Sequence, residues 1–310
     1  MTLRVTFLGT SAAIPTTSRN PSGVFINREG DRLLFDVGEG TQRQMMKYGT
    51  GFDVSDVFLT HLHGDHVLGL AGLLQTWEFT DRSRRLRIHT PVRTRARLEK
   101  FLFSLEGRPS YPVEIREVEP QEAALEADEY DVRVIETHHN ARSVGYSLVE
   151  HDRRGRFDRR RAEELGVPVG PKFSQLHAGE PVELADGSVV LPEQVVGPPR
   201  PGRTVVYTGD TKATQSVVRA ANEADLLIHD ATFTSDQRER ADTTAHATAK
   251  DAGSVASNAG ARRLALTHIS SRYPGAAVGH REEAEAVYDG DVVVAQDGLE
   301  LDISFPEAES

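Results

Sequence analysis

The chain has 310 residues, among them 12 histidines and no cysteine, and its formal net charge at pH 7 is −11. Without cysteine it has neither disulfides nor a thiolate nucleophile, and any metal must be held by His, Asp or Glu. No apolar run approaches the roughly 20 residues of a membrane helix, and residues 1–7 are typical of a strand rather than a signal peptide, which predicts a cytoplasmic protein with no membrane contact.

The first 36 residues alternate between predicted strands and loops. Residues 3–8 predict a strand that ends in a loop of small residues at 9–13. Residues 14–22 hold two prolines and show no periodicity, which predicts an exposed loop; by itself this loop is equally well explained as an ordinary connector. Residues 24–26 and 32–35 predict two paired strands, and Asp36 follows the second of them.

The densest polar cluster is Thr60-His61-Leu62-His63-Gly64-Asp65-His66, between a short apolar run and a longer one. This pattern predicts a strand, a sharp loop and a helix. Three imidazoles and one carboxylate provide ligands for a borderline divalent metal, whereas the alternative is a polar turn that happens to be rich in histidine. A single ion would leave Asp65 and His66 beside it, so the cluster favours two ions roughly 3.5–4 Å apart.

Other residues able to bind metal also follow predicted strands. They are Asp36, His138, His139, Asp210, Asp230 and His268. Sites in layered α/β folds gather at strand ends, because the loops there vary while the sheet holds them rigid. Each residue alone is better explained as a turn or cap residue, but their shared placement predicts one site at one rim of the sheet.

The composition changes after Glu150. Residues 151–161 are dense in arginine, and Pro and Gly dominate residues 166–172 and 196–202. A disordered linker is one explanation, but residues 182–191 predict a hairpin with Asp-Gly at its turn. We therefore expect a single domain over residues 1–310 that is interrupted by a protruding, partly ordered arm at about residues 152–202.

The charge of −11 argues, taken alone, against a nucleic-acid partner, which usually requires a basic surface. The basic residues are almost all arginines, with only five lysines, and this is typical of a protein from a salt-rich cytoplasm. At molar salt the Debye length falls to about 3 Å, so local arginine contacts rather than net charge would decide whether RNA binds.

Residues 36–42, 60–66, 209–211, 229–233, 246–249 and 267–268 together resemble the metallo-β-lactamase superfamily and, within it, the ribonuclease Z family of tRNA 3′-processing endonucleases. The resemblance implies an α/β fold, a four-layer αββα sandwich, with two zinc ions at its rim. It implies seven metal ligands: His61, His63, Asp65, His66, His139, Asp210 and His268. Within this set, His61, His63 and His139 would hold one ion, Asp65, His66 and His268 the other, and Asp210 would bridge them.

The resemblance also implies a reaction. Asp65 would orient the nucleophile and take its proton, while His246, oriented by Asp230, would protonate the departing 3′-oxygen. Cleavage of precursor tRNA near the discriminator nucleotide would leave a 3′-hydroxyl on the tRNA and a 5′-phosphate on the trailer. The enzyme would be a homodimer whose arm reaches the tRNA from the partner subunit.

The RNA contacts that the resemblance implies are Arg19, Asn20, Gly170, Pro171 and Lys172. The chain departs from the family pattern at three positions, with Thr17 in place of a frequent Lys, Asp230 in place of the usual Glu and Ala247 in place of a frequent Ser. Two other functions stay open. A small-molecule hydrolase or general phosphodiesterase of the same fold should lack the arginine-rich arm, and a non-catalytic RNA-binding protein should have lost some of the ligands.

Overall fold

The computed structural model describes residues 2–104, 108–273, 275 and 277–306. Contacts divide the chain into two units. The larger unit consists of Met1–Val149 and Arg203–Ser304, and the smaller consists of Glu150–Gly202 with the end of the chain from Phe305. Each is described by itself below.

Within the described residues of the larger unit, seven strands form a first sheet. In chain order they are β1 (Leu3–Gly9), β3 (Gly23–Arg28), β4 (Asp31–Phe35), β5 (Asp56–Phe58), β6 (Leu86–Pro91), β7 (Val113–Val118) and β18 (Glu300–Asp302). In space the order is β18-β1-β3-β4-β5-β6-β7. The predicted hairpin pairs β3 with β4, and strands β4 to β7 run parallel to one another.

Three helices cover the outer face of the first sheet: α1 (Thr41–Lys47), α2 (Gly64–Phe79) and α3 (Arg95–Leu102). The apolar residues after His66 recur on the face of α2 that packs on this sheet, where Leu70, Leu73 and Trp77 are at most 1 % exposed. Trp77 Nε1 also donates to the Phe52 carbonyl over 2.6 Å, which fixes the far end of the helix. The start of α2 is thereby held at the edge of the sheet.

A second sheet contains seven further strands of the described chain. They are β8 (Ala123–Glu126), β9 (Tyr130–Glu136), β10 (Val144–Glu150), β13 (Thr204–Tyr207), β14 (Leu226–Asp230), β15 (Arg263–Thr267) and β17 (Asp291–Val294). Their spatial order is β17-β15-β14-β13-β10-β9-β8, and β13, β14, β15 and β17 are parallel. Helices α6 (Gln215–Ala220), α8 (Ala249–Ala259) and α9 (Val278–Glu285) bury a mostly aliphatic layer on its outer face.

The inner faces of the two sheets pack on each other. Phe35 and Phe58 of the first sheet meet Tyr146 of the second, with ring centroids 5.9 and 5.3 Å from it. The layers are therefore helix, sheet, sheet, helix, and the predicted four-layer αββα sandwich is confirmed. A short parallel pair, β2 (Ser11–Ala12) with β16 (Ile269–Ser270), joins the loops at one rim.

The polar sequence of residues 232–242 predicts a loop, but the structure is largely helical there. Residues 232–242 carry no apolar periodicity, yet they contain a 3₁₀ turn (Ser235–Gln237) and most of helix α7 (Arg238–Thr244). The guanidinium of Arg238 donates to both carboxylate oxygens of Asp251 on α8, over 2.7 and 2.8 Å. Tertiary contacts of this kind stabilise a short helix that its own sequence pattern does not reveal.

The smaller unit contains helices α4 (Arg159–Glu164) and α5 (Pro171–His177) and a hairpin of β11 (Val182–Glu183) with β12 (Val189–Val190). The hairpin lies where the Asp-Gly turn predicted it. Six buried apolar residues form a small core: Ala162, Val167, Leu176, Val182, Val190 and Val195. These residues are thus ordered rather than a linker without structure, and their protrusion as an arm stays a prediction. In the described chain no helix is both long and apolar enough to cross a membrane.

Candidate metal centre

The site is built on the ends of strands from both sheets. His61 and His63 lie in the loop after β5, and α2 starts at Gly64 so that Asp65 and His66 occupy its first turn. Asp210 and His268 follow β13 and β15 of the second sheet, and His139 follows β9. Gly209 is required before Asp210, because a Cβ there would lie 2.6 Å from the Thr60 side chain and its φ is +58°.

The structure brings all seven predicted ligands together in two groups. One contains His61, His63, His139 and Asp210, and the other contains Asp65, His66, Asp210 and His268; within each group the ligand atoms lie within 4.8 Å of one another. Asp210 belongs to both groups. A carboxylate that belongs to both groups could serve as a ligand in either of them.

The donor set fits cations. His61 Nε2 lies 2.9 Å from His63 Nδ1, and His66 Nε2 lies 3.4 Å from His268 Nε2. Asp210 Oδ1 is also 3.2 Å from His66 Nε2 and 3.3 Å from His268 Nε2. Lone pairs that converge in a buried place are unfavourable unless a cation or protons lie between them. Burial and the neighbouring His66 hold the pKa of His61 well below its usual range, which keeps this imidazole neutral, as a metal ligand must be.

A buried carboxylate supports the ligands from behind. Asp36 is fully buried and accepts hydrogen bonds from the Thr60 hydroxyl at 2.8 Å and from Tyr207 Oη at 2.9 Å. His66 Nδ1 donates to the same carboxylate over 2.7 Å, which leaves Nε2 facing the site. Asp36 therefore orients a ligand and is not itself in either group, a role that the sequence pattern of strand ends could not distinguish from ligation.

Hydrogen bonds also hold the second nitrogen of other ligand rings. His139 Nδ1 donates to the Ala245 carbonyl over 3.0 Å, and His268 Nδ1 donates to Thr232 Oγ1 over 2.8 Å. Such partners fix the tautomer and the direction of the ring. His138, which was also noted at this strand end, has an exposed side chain and lies in neither group.

Asp230 and His246 form a pair, and with Asp210 and His268 they make a third group whose possible ligand atoms lie within 4.8 Å of one another. Asp230 is buried and accepts from the Thr232 amide and hydroxyl with Oδ1 and from the Thr211 amide with Oδ2. Its Oδ2 also accepts from His246 Nδ1 over 2.8 Å, so protein donors occupy its acceptor sites. Burial opposes a charge on His246, but the Asp230 carboxylate offsets this and raises the pKa of His246 to about 9. The imidazolium can act as an acid through Nε2.

Asp65 belongs to the second group and also contacts the loop that follows β1. Its Oδ2 accepts from the Ala13 amide over 2.8 Å and lies 3.2 Å from His268 Nε2. Burial opposes its ionisation, but the charge of His66 and the hydrogen bond with His268 hold the pKa of Asp65 below its usual range. The carboxylate is therefore available as an acceptor.

The site opens into a cavity of about 460 Å³. Arg240 on α7 and Arg272 after β16 line it together with Ile14 of the first loop. Sequence reasoning missed both arginines, because residues 232–242 were predicted as loop and no pattern singled out the residues after His268. Their nearness to predicted ligands was the one available signal.

The predicted RNA contacts have different environments. Arg19 is 5 % exposed, and its Nη1 donates to Thr10 Oγ1 and to the Ala295 carbonyl over 2.7 and 2.6 Å, which argues against direct contact with RNA. Asn20 is half-buried, and its Nδ2 donates to the Glu39 carbonyl. In the smaller unit, Gly170, Pro171 and Lys172 form the exposed or half-exposed start of α5.

Comparison with known proteins agrees with this geometry. Residues 17–155 match the Metallo-beta-lactamase superfamily, and residues 194–269 match the Beta-lactamase superfamily domain. Ribonuclease Z of Natronomonas pharaonis is 60 % identical over 307 residues, covering 99 % of this chain and all of the relative, and that of Halobacterium salinarum is 61 % identical over 309 residues, covering all of both. The crystal structure of the short form of human tRNase Z superposes with a TM-score of 0.71 at 26 % identity, covering 97 % of this chain and all of the human chain.

Proposed function

The chain belongs to the ribonuclease Z family of the metallo-β-lactamase superfamily, and we propose that it is an endoribonuclease that removes 3′ trailers from precursor tRNA. The predicted family is confirmed by relatives that are 60 and 61 % identical over essentially the whole chain. The observation that carries the function is the complete set of seven ligands beside the Asp230–His246 pair. The reaction hydrolyses a phosphodiester near the discriminator nucleotide, leaving a tRNA 3′-hydroxyl and a trailer 5′-phosphate.

The proposed cofactor is two zinc ions per chain. The donors are imidazole nitrogens and carboxylate oxygens in two groups that share Asp210, which suits zinc. When bound, such ions lower the pKa of water to about 7 and neutralise charge on a phosphodiester. The chain's own part is to hold the seven predicted ligands in place and to keep His61 neutral, because burial and the neighbouring His66 lower the pKa of that imidazole.

Two residues carry the proposed proton transfers. Asp65 has one oxygen occupied by the Ala13 amide and His268, so the carboxylate keeps a fixed direction in which it can orient the nucleophile and accept its proton. His246 receives its direction from Asp230, and its Nε2 donates a proton to the departing 3′-oxygen. The acid and the base are thus separate groups on different elements, with Asp65 in the first turn of α2 and His246 held by Asp230 at the end of β14.

RNA binding is proposed for both units. In the larger unit, Arg240 and Arg272 line the cavity and are suited to the phosphates on either side of the cleaved bond. In the smaller unit, Gly170, Pro171 and Lys172 would contact the body of the tRNA, as the resemblance suggests. Arg159 and Arg160 there pair with Glu163 and Glu164 in exposed ion pairs, and such pairs are weak enough to be exchanged for RNA phosphates.

The proposed assembly is a homodimer that acts in the cytoplasm, where its precursor tRNA substrate would be present. Met46 on α1 and Leu68 on α2 are 68 and 51 % exposed, and a second copy of the chain would cover such apolar side chains. Light scattering at the protein concentration used for activity assays tests this assembly. A monomer with full activity would contradict it.

The function is tested by incubating the purified, zinc-loaded protein with one precursor tRNA that carries a 3′ trailer and mapping the cut. We expect a single cut next to the discriminator nucleotide, with a 3′-hydroxyl on the tRNA. His63→Ala, which removes one ligand, should abolish it. Hydrolysis of bis(p-nitrophenyl) phosphate without any cleavage of the precursor would instead identify a general phosphodiesterase of the same fold.

A further inference from the structure

Asp297, in the turn between β17 and β18, joins three separate segments of the larger unit. Its Oδ1 accepts from the hydroxyl of Thr10, which follows β1, over 2.8 Å. Its Oδ2 accepts from the Asn20 amide and from Gln44 Nε2 on α1, both over 2.7 Å. One carboxylate thus holds both ends of the loop from residue 10 to residue 20 and attaches it to a helix.

A buried arginine extends this network. Arg19 Nη1 donates to Thr10 Oγ1 and to the carbonyl of Ala295, two residues before Asp297. Arg19 is 5 % exposed, so its guanidinium is enclosed with the network rather than presented to solvent. Burial lowers the pKa of Arg19, and the charge of Asp297 beside it offsets part of this effect.

The middle of the same loop reaches the metal centre. The Ala13 amide donates to Asp65 Oδ2 over 2.8 Å, and Ser11 and Ala12 pair with the strand β16 that follows His268. Ala13 has a φ of +61°, an unfavourable backbone conformation for a residue other than glycine, so the loop must be held for this amide to point at Asp65. Asp297 itself does not line the cavity.

We propose that Asp297 is a positioning residue for the cleavage reaction: it fixes the loop of residues 10–20 so that the Ala13 amide holds Asp65 in its productive direction. This inference rests on the proposed function and adds to it a residue far from the ligands in the chain. Arg19 belongs to the same hydrogen-bond network and supports the loop from inside the protein.

The hydrogen bonds predict how substitutions differ. Asp297→Ala removes the acceptor for all three donors. In Asp297→Asn, the amide oxygen can replace Oδ2 and accept from Asn20 and Gln44, while the amide nitrogen donates to Thr10 Oγ1. The asparagine therefore keeps the bonds to Asn20 and Gln44, but it reverses the bond with Thr10 and removes the charge beside Arg19. Thr10→Val removes one hydroxyl without changing the shape of the side chain and serves as a milder variant should Asp297→Ala fold poorly.

The matched control is Asp302→Ala, which removes an exposed carboxylate on β18 that pairs with Arg4. Each variant is loaded with zinc, its metal content is measured, and kcat and KM are determined on the precursor tRNA and on bis(p-nitrophenyl) phosphate. Because misplacement of a catalytic group by about 1 Å costs on the order of 10²-fold, we expect kcat of Asp297→Ala to fall by about that factor on both substrates, with little change in KM for the small one. Asp297→Asn should recover part of the loss, and Asp302→Ala should resemble the unmodified protein.

A second measurement does not depend on activity. Each variant is loaded with Co²⁺ in place of zinc, and its visible absorption bands report the geometry of the ligands. Asp297→Ala should change these bands, whereas Asp302→Ala should not. Unchanged bands and kcat in both Asp297→Ala and Thr10→Val, or an Asp297→Asn as impaired as Asp297→Ala, would overturn the inference. If the unmodified protein failed to cut the precursor, the proposed function would be at fault instead.

Discussion

The proposed role of His246 as general acid leads to a sharp prediction for His246→Ala. Asp230 Oδ2 holds His246 Nδ1 at 2.8 Å, and protein donors occupy the acceptor sites of Asp230, which supports our proposal that the histidine acts on the leaving group rather than on a metal. General acid catalysis contributes about 10²–10⁴-fold. We expect His246→Ala to keep two metal ions per chain and its affinity for precursor tRNA, and to lower the cleavage rate by a factor in that range.

The assay compares two precursors under single-turnover conditions. One is unmodified, and in the other sulfur replaces the bridging 3′-oxygen at the cut, a leaving group that needs little protonation. His246→Ala should recover much of its lost rate on the sulfur substrate. Asp65→Asn, which removes the base rather than the acid, should recover little.

His138→Ala provides a matched control, since this exposed histidine precedes a ligand and belongs to neither metal group. It should cleave both substrates at the normal rate. Equal defects of His246→Ala on the two substrates would refute the acid role and leave His246 as a residue that positions a phosphate. Loss of metal from His246→Ala would refute the assignment differently, by making it a ligand.

Three further predictions concern the metals, the smaller unit and acid stability. Metal analysis should find about two zinc ions per chain, and exhaustive chelation should abolish cleavage; a single ion with full activity would contradict the two-ion site. Replacing residues 153–201 by a short linker should abolish cleavage of precursor tRNA and spare hydrolysis of bis(p-nitrophenyl) phosphate, and loss of both in a folded, zinc-loaded variant would show that this unit supports the site. Burial lowers the pKa of His280 to about 4 from the 6.5 of the unfolded chain, so the unfolded state binds the proton first and stability falls as pH drops from 6.5 to 4. In urea unfolding between pH 6.5 and pH 4, the free energy of unfolding of His280→Leu should fall by about 3 kcal/mol less than that of the unmodified protein. Parallel plots of the free energy of unfolding against pH for the two proteins would contradict this prediction.

The sequence predicted those parts of the site whose secondary structure follows from neighbouring residues in the chain. The apolar runs around residues 60–66 predict a strand, a loop and a helix, and the structure has β5 and α2 there. The division of ligands into two groups came from the family resemblance, since spacing cannot show which strand ends meet. The burial of Arg19 escaped prediction because its partner carbonyl, on Ala295, is 276 residues away in the chain. Arg240 escaped because α7 depends on its contact with α8 rather than on its own periodicity.

The shared carboxylate of Asp210 has a consequence for folding. His61 and His66 follow a strand of the first sheet, and Asp210 and His268 follow strands of the second, so bound ions would cross-link segments up to about two hundred residues apart in the chain. Because an unfolded chain cannot present these ligands together, ions would bind the native state selectively, and free metal at 100 times its dissociation constant would add about 2.7 kcal/mol to the free energy of unfolding for one site. The melting temperature should therefore rise with the concentration of free metal. Supply of zinc would then govern how long the folded chain persists, in addition to whether it is active.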